Sequence, residues 1–481
     1  MKLIYNWRKT MQVTQRFLKF IGFVILFFQL ANPANAQETN LKVSGNWSGE
    51  IELPTMKLEM IFKISEDENG LLNAKLDVPV QGAIDLPVGE VITTNDSLIL
   101  KIPMILGTYK GKILSAETIE GEWIQGGNSM PLNLKKTEKI TEIKRPQTPK
   151  EPFSYLNEEV EYLNKKSGFK IAGTLTLPKN EKSCPAVILI SGSGAQDRDE
   201  TIFEHKPFMV IADFLTRNGI AVLRVDDRGV GGSEGNIREA TSEDFADDVL
   251  TGIEFLKSRS EIDHLKIGLI GHSEGGLIAP IAANKSENVA FFIMLAGPGI
   301  NGEQILYDQN DLSLKAAGMN DEIINRNRKL QEAIFNIILT ETDSAKQLDR
   351  LQRTYSGGMY PMLQEEQKTA IDQRIKAVNT PWFKYFLTYN PQPTLAKVKC
   401  PVLALNGAKD VQVPSKSNLD AIKKAISEGG NPNVKTMEFE NLNHLFQNCE
   451  TGAISEYAQI EETIEPEVLE IIKDWIWEVL E

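Results

Sequence analysis

The chain has 481 residues, 41% of them hydrophobic and 25% charged, with a formal net charge of -14. That length predicts two or three domains, and that composition is the one of a globular protein. The acidic balance excludes a nucleic-acid binder, since phosphate contact needs clustered Lys and Arg; none is found outside the amino terminus.

The first element is a targeting segment. Lys2, Arg8, Lys9, Arg16 and Lys19 form a basic region without acids, followed by the short apolar run FIGFVILFFQLA and the small-residue site ANA. This is the pattern of a secretory signal peptide over residues 1–36, cleaved before Gln37. Its removal takes five positive charges, moving the net from -14 to -19. The run is short for a membrane span of about 20 residues. A periplasmic or extracellular protein with no stable membrane anchor is therefore expected.

Residues 37–136 read as short strands. GNWSGEIEL, LEMIFKISE, LLNAKLDVP, SLILKIPMI, TYKGKIL and GEWIQGG alternate apolar and polar residues between turn signals such as EDENG. They predict a small antiparallel barrel or sandwich, with Trp47 and Trp123 in its core or at its rim. The polar, proline-bearing stretch that follows, residues 137–153, reads as a linker.

From residue 154 to 481 the pattern changes. After a leading hairpin (EEVEYLN, KIAGTLTLP), continuous apolar strands (AVILISG, IAVLRVD, KIGLIG, VAFFIML, VLALNG) alternate with amphipathic helices. TSEDFADDVLTGIEFLKS opens with a capping-box pattern at Thr241 and Asp244. The alternation predicts an α/β architecture, a mostly parallel sheet with helices on both faces. Residues 301–394 interrupt it with roughly a hundred residues of helical sequence, far beyond an ordinary loop, and read as a lid. The stretch TPWFKYFLTYNP at its return supplies Trp382 and Phe383 as candidate substrate contacts, with plain packing of lid on sheet as the competing reading.

The chemistry centres on KIGLIGHSEGGLIAP. Ser273 lies in Gly-x-Ser-x-Gly between a buried strand and a helix, where a sharp turn exposes the hydroxyl. A serine hydroxyl is a weak nucleophile without a base and a group to orient that base. Asp410 follows VLALNG with Gly-x-x-Asp spacing, and His444 follows KTMEFE in NLNHLF. Asp410 also has a competing reading as a helix cap. The three cysteines, Cys184, Cys400 and Cys449, make no disulfide framework, and four scattered histidines with no Cys-x-x-Cys make zinc improbable. No metal or cofactor is expected.

SGSGAQDRDE, VDDRGVGGSEG, GHSEGG, NGAKDVQVP and NLNHLF together resemble the α/β-hydrolase superfamily, in particular its lidded serine esterases and the serine aminopeptidase-like group. The order Ser273, Asp410, His444 is the one of that superfamily. The resemblance implies an oxyanion hole from the backbone N–H groups of Glu274 and Ser193, although Ser191-Gly192 stands where many lipases carry His-Gly. It leaves Gln196, Asp197 and Arg198 to hold the loop or touch substrate, and makes Asp227, Arg228 and Gly229 a structural turn with Arg228 open to a substrate anion. The expected function is hydrolysis of a small carboxylic ester through an acyl-enzyme. A peptidase on the same triad is the first alternative, and a non-catalytic binding module the second.

Overall fold

In the computed structural model the described residues are 43–481, except 53–56, 68–69, 82, 95, 139–143 and 180–182. The signal-peptide reading of residues 1–36 and part of the linker lie outside them.

The amino-terminal strands are β1 (Gly45–Glu52), β2 (Lys57–Glu66), β3 (Leu72–Val78), β4 (Ala83–Pro87), β5 (Glu90–Thr93), β6 (Ser97–Ile102), β7 (Gly107–Ser115), β8 (Thr118–Gln125), β9 (Asn128–Pro131) and β10 (Leu134–Thr137). They form one antiparallel sheet in the order β4-β3-β2-β1-β10-β8-β7-β6-β5, with β9 on β8. β3 comes near β5, so the sheet rolls toward a barrel. Alternation puts Trp47, Phe62, Tyr109 and Trp123 inside, all essentially buried. Phe62 lies 5.4 Å from Tyr109 and 6.5 Å from Trp123 between ring centroids, the spacing of interacting aromatics. Gly111 and Gly121 face each other across β7 and β8, and a methyl on either would meet the Tyr109 hydroxyl at about 2.5 Å, so these glycines make its seat.

The polar run after this sheet behaves differently from a free linker. Lys135–Thr137 are strand, paired with Ser48, Trp47 and Asn46. Farther on, the Arg145 guanidinium donates to the carbonyls of Phe203 (2.7 Å), Ile460 (3.0 Å) and Ala458 (3.1 Å). Gln147 accepts from the N–H of Thr463 (2.6 Å) and donates to the carbonyl of Ile464 (2.7 Å).

The second sheet has eight strands: β11 (Leu156–Asn164), β12 (Phe169–Leu177), β13 (Cys184–Ile190), β14 (Ala221–Val225), β15 (Ile262–His272), β16 (Phe291–Leu295), β17 (Val402–Gly407) and β18 (Val434–Phe439). Their order is β11-β12-β14-β13-β15-β16-β17-β18. β11 pairs β12 and β12 pairs β14 antiparallel; every pairing beyond, from β14–β13 to β17–β18, is parallel. Helices α1 (Pro207–Arg217), α2 (Ser242–Lys257) and α3 (Glu274–Lys285) connect the first of these strands. The Thr241 N–H donates to Asp244 at 2.9 Å, making the expected capping box, and α2 buries Val249, Ile253 and Leu256.

The inserted segment is helical as expected: α4 (Gly302–Ala316), α5 (Asp321–Thr340), α6 (Ser344–Ser356), α7 (Glu365–Val378), α8 (Pro381–Thr388) and α9 (Gln392–Leu395). It has an apolar core of its own around Ile334, Phe335, Ile338, Leu351 and Leu387. Helices α10 (Ser415–Glu428), α11 (Ile454–Tyr457) and α12 (Pro466–Leu480) complete the chain. No described helix is long and apolar enough to cross a membrane.

Candidate active site

The loops leaving β13, β15, β17 and β18 converge at the carboxyl ends of the parallel strands, where ligands of open α/β sheets bind. Ser273 lies between β15 and α3 and caps the helix with φ 52° and ψ -117°, a strained conformation for a side-chain-bearing residue. Its N–H donates to the Leu295 carbonyl at 2.8 Å, and its own carbonyl accepts from Gly276 at 2.9 Å. Two glycines make this turn sterically possible. A methyl on Gly271 would lie 2.0 Å from the Gly275 carbonyl oxygen, and one on Gly275 would lie 2.0 Å from that of Ile190.

Asp410 and His444 are brought together. His444 Nδ1 and Asp410 Oδ2 are 2.7 Å apart, with both residues buried. Asp410 Oδ1 accepts from the N–H groups of Gln412 (2.7 Å) and Val413 (2.9 Å). Those bonds hold its own loop; α10 starts later, at Ser415, so the helix-cap reading does not apply. The His444 loop is braced by Asn443, whose side chain accepts from Leu445 (2.9 Å) and Gln447 (3.0 Å). Ser273 Oγ makes no hydrogen bond to His444 here, and such bonds commonly close only around substrate.

Glu274, just after the serine, has a buried carboxyl. It accepts from Ser242 Oγ at 2.6 Å and from Trp382 Nε1 at 2.7 Å. Burial pushes its pKa up against those two bonds. Trp382, expected at the substrate, thus fastens α8 to the residue after Ser273 and stacks on Phe386 at 5.3 Å. Phe383, one residue on and about 100° around the helix, turns into the lid core against Phe335 at 5.7 Å. Tyr385 and Tyr389 likewise spend their hydroxyls on Glu243 and Thr394.

In the loop after β13, Ser193 is exposed. Gln196 donates its backbone N–H to Asp227 at 2.9 Å, and its side chain reaches the Ser193 carbonyl at 3.3 Å. Arg198 is committed to Asp226 (2.7 Å), Thr174 (2.8 Å) and Glu159. Arg228 is not open to a substrate anion, which corrects that expectation. Its guanidinium is buried on Asp248 and the Asp244 carbonyl and lies over the Phe169 ring. Asp227 accepts from Ser191 Oγ at 2.8 Å, and burial, the first cause, pushes its pKa up to about 7.

The linear sequence concealed two residues. Glu200 Oε1 accepts from the Gly192 N–H at 2.6 Å and faces His272 Nδ1 at 2.9 Å. His272 Nε2 faces the His444 carbonyl oxygen at 3.0 Å. Glu200 ends the motif SGSGAQDRDE and His272 precedes the serine, but nothing in their spacing announces the pairing. Among the described residues no group of three or more His, Cys, Asp or Glu side chains is arranged to hold a metal ion.

Residues 205–448, just over half of the chain, match the family described as serine aminopeptidase, S33. The chain is 26% identical over 275 residues to Esterase EstD of Thermotoga maritima, an alignment covering 57% of this chain and 58% of that one. It is 33% identical over 138 residues to Thiohydrolase aneE of Aspergillus aculeatus, covering 28% and 40%. The chain thus spans less than two thirds of the length of these curated relatives. Among solved structures, the Pyrococcus furiosus esterase Pf2001 aligns with 15% identity and a TM-score of 0.42 over 72% of this chain and all of that one.

Proposed function

The chain belongs to the serine aminopeptidase (S33) family of α/β hydrolases, and on that premise we propose that it is an exported serine hydrolase cleaving carboxylic esters through an acyl-enzyme. One observation carries the reading. Asp410 and His444 share a buried 2.7 Å bond on the loops beside Ser273, which is itself held in a strained turn. In this reading Ser273 attacks the ester carbonyl and His444 takes its proton. Asp410 orients the ring and stabilises the imidazolium, and His444 returns the proton to the leaving alcohol. The N–H groups of Glu274 and Ser193 are the proposed donors to the oxyanion, an interaction worth roughly 3 kcal/mol per donor. Water then releases the acid by the same steps in reverse order.

Export rests on the pattern of residues 1–36 alone. The choice of an ester over an amide draws on the alignment with Esterase EstD. The family description keeps a peptidase as the second reading, since the same three residues serve both. A chromogenic acyl-ester series from acetyl to decanoyl, run beside amino-acid amides and with Ser273→Ala as control, separates them. Turnover of esters with a burst absent from the variant is expected. Turnover of amides alone moves the assignment to a peptidase, and turnover by the variant at the native rate removes Ser273 as nucleophile.

A further inference from the structure

Directly behind the proposed triad lies a second histidine–carboxylate pair. Glu200 comes from the loop after β13, His272 from the end of β15, and the carbonyl of His444 from the loop after β18. The pair touches all three: Glu200 Oε1 holds the Gly192 N–H (2.6 Å) and His272 Nδ1 (2.9 Å), and His272 Nε2 holds the His444 carbonyl (3.0 Å). The His272 and His444 rings lie 4.8 Å apart between centroids. The turn that presents Glu200 is built for it. Asp197 accepts from the N–H groups of Asp199 (3.1 Å) and Thr201 (2.9 Å), and Glu200 sits at φ 51°, a conformation side-chain-bearing residues rarely adopt.

The protonation of His272 follows from its partners. A backbone carbonyl oxygen only accepts, so Nε2 carries a hydrogen. Nδ1 faces a carboxyl oxygen that already accepts a short bond from the Gly192 N–H, a contact that an Nδ1–H completes, while the other oxygen, Oε2, is buried without a hydrogen-bond partner. We infer that Glu200 and His272 form a buried carboxylate–imidazolium ion pair that positions the oxyanion loop, the serine turn and the His444 loop against one another and keeps a positive ring beside His444. The inference rests on the esterase reading for its kinetic consequence, but not for the pair itself. Burial opposes the charge on His272, while the charge and hydrogen bond of Glu200 favour it, with a net upward direction. The other titratable groups facing the pair are His444 and Asp410 beside His272 and Asp227 beside Glu200. Phe208 and Ile211 of α1, Leu295 of β16, Phe446 and Ile464 close the remaining sides with apolar surface.

A positive ring at this distance opposes a second positive charge on His444. Glu200→Gln keeps an oxygen for the Gly192 N–H but removes the counter-charge, so the buried His272 reverts to its neutral form. Loss of the ring charge 4.8 Å from His444 favours protonating His444 and loss of the Glu200 charge opposes it; a net gain is expected because Glu200 bonds to His272 and not to His444. The acid limb of kcat/KM then moves up by about half a pH unit, and kcat falls about tenfold with KM nearly unchanged, the scale on which outer-shell partners act.

The test is side-chain nitrogen NMR of the full chain, whose four histidines make assignment tractable, with kinetics of Glu200→Gln alongside. Expected are two protonated ring nitrogens on His272 from pH 6 to 8 in the native protein, and one in the variant together with the shifted acid limb. A singly protonated His272 at pH 7 in the native protein overturns the pair. So does a folded variant with an unmoved pH profile. The native spectrum needs neither the variant to fold nor any turnover. Failure of the esterase reading therefore leaves it intact, and ester turnover beside a neutral His272 removes only the pair.

Discussion

The first sheet buries Trp47, Phe62, Tyr109 and Trp123 and keeps nearly all of its polar groups outside. Asp77, paired with Lys63 at 2.7 Å, is its one fully buried charged side chain among the described residues. The second sheet gathers Glu200, His272, Glu274, Asp410 and His444 at one end, each less than a tenth exposed. Apolar burial stabilises a fold without asking for exact partners. A buried polar group is costly unless every hydrogen bond is met. A fold that concentrates five such groups in a few loops accepts that demand at the candidate site, and does not meet it everywhere: Glu200 Oε2 is buried without a hydrogen-bond partner. The first sheet carries no such concentration, and apart from the Asp77–Lys63 pair its buried residues are explained by packing.

That contrast can be broken most directly at Ser273. Ser273→Ala is expected to lower kcat/KM on short acyl esters by about 10⁴-fold or more with an unchanged unfolding midpoint. Trp47→Ala is expected to do the opposite, costing about 3–5 kcal/mol in urea unfolding of the first sheet, while the folded protein keeps its ester kcat/KM within about twofold. A parallel collapse of activity would join the two sheets functionally and end the comparison.

The next effect is a matter of pH. His205 is fully buried between Thr463 Oγ1 and the Tyr457 carbonyl, each 2.9 Å away, and burial lowers its pKa from 6.5 to about 4. The unfolded ring binds a proton near 6.5, whereas the folded one does so only near 4. Stability is therefore full above pH 6.5 and declines as pH falls through that window, by roughly 3 kcal/mol at pH 4. Denaturant titrations at pH 7 and pH 4 measure this, and His205→Gln is expected to flatten the difference. The smallest effect belongs to the lid. Trp382→Phe removes one donor from the buried Glu274 carboxyl and is expected to cost about 1–3 kcal/mol, visible as a lower unfolding midpoint and a higher KM.

Much of this architecture is written locally. Alternation marks β1 and β2, and continuous apolar runs mark β13 and β17, because each period follows from how many faces of a strand are covered. β4, β5, β9 and β10 escape notice since each is only four or five residues long. β10 is hidden further by its charge: only Leu134 is buried, two lysines follow it, and Thr137 falls in the stretch that reads as linker. Ser273, Asp410 and His444 are legible because each must follow a strand in a fixed chain order. The contacts that support them are not, because Glu200 reaches His272 across 72 residues and Glu274 reaches Trp382 across 108. Such pairs exist only once the sheet has closed. Trp382 and Phe383 were indistinguishable in the linear chain, and helical rotation sends one to the serine turn and the other into the lid.

The joint made by Arg145 and Gln147 uses main-chain atoms on the far side throughout: the carbonyls of Phe203, Ala458, Ile460 and Ile464, and the N–H groups of Thr463 and Ile464. The hydrogen bonds of such a seam do not depend on side-chain identity, although the charges of Glu204 and Glu461 also favour Arg145 there. Ala458 and Ile460 can exchange their side chains while the seam persists, provided the loop keeps its path, whereas Thr463 also holds His205 and Ile464 is buried. Arg145 and Gln147 have no such freedom, because the whole specificity of the seam resides in those two side chains.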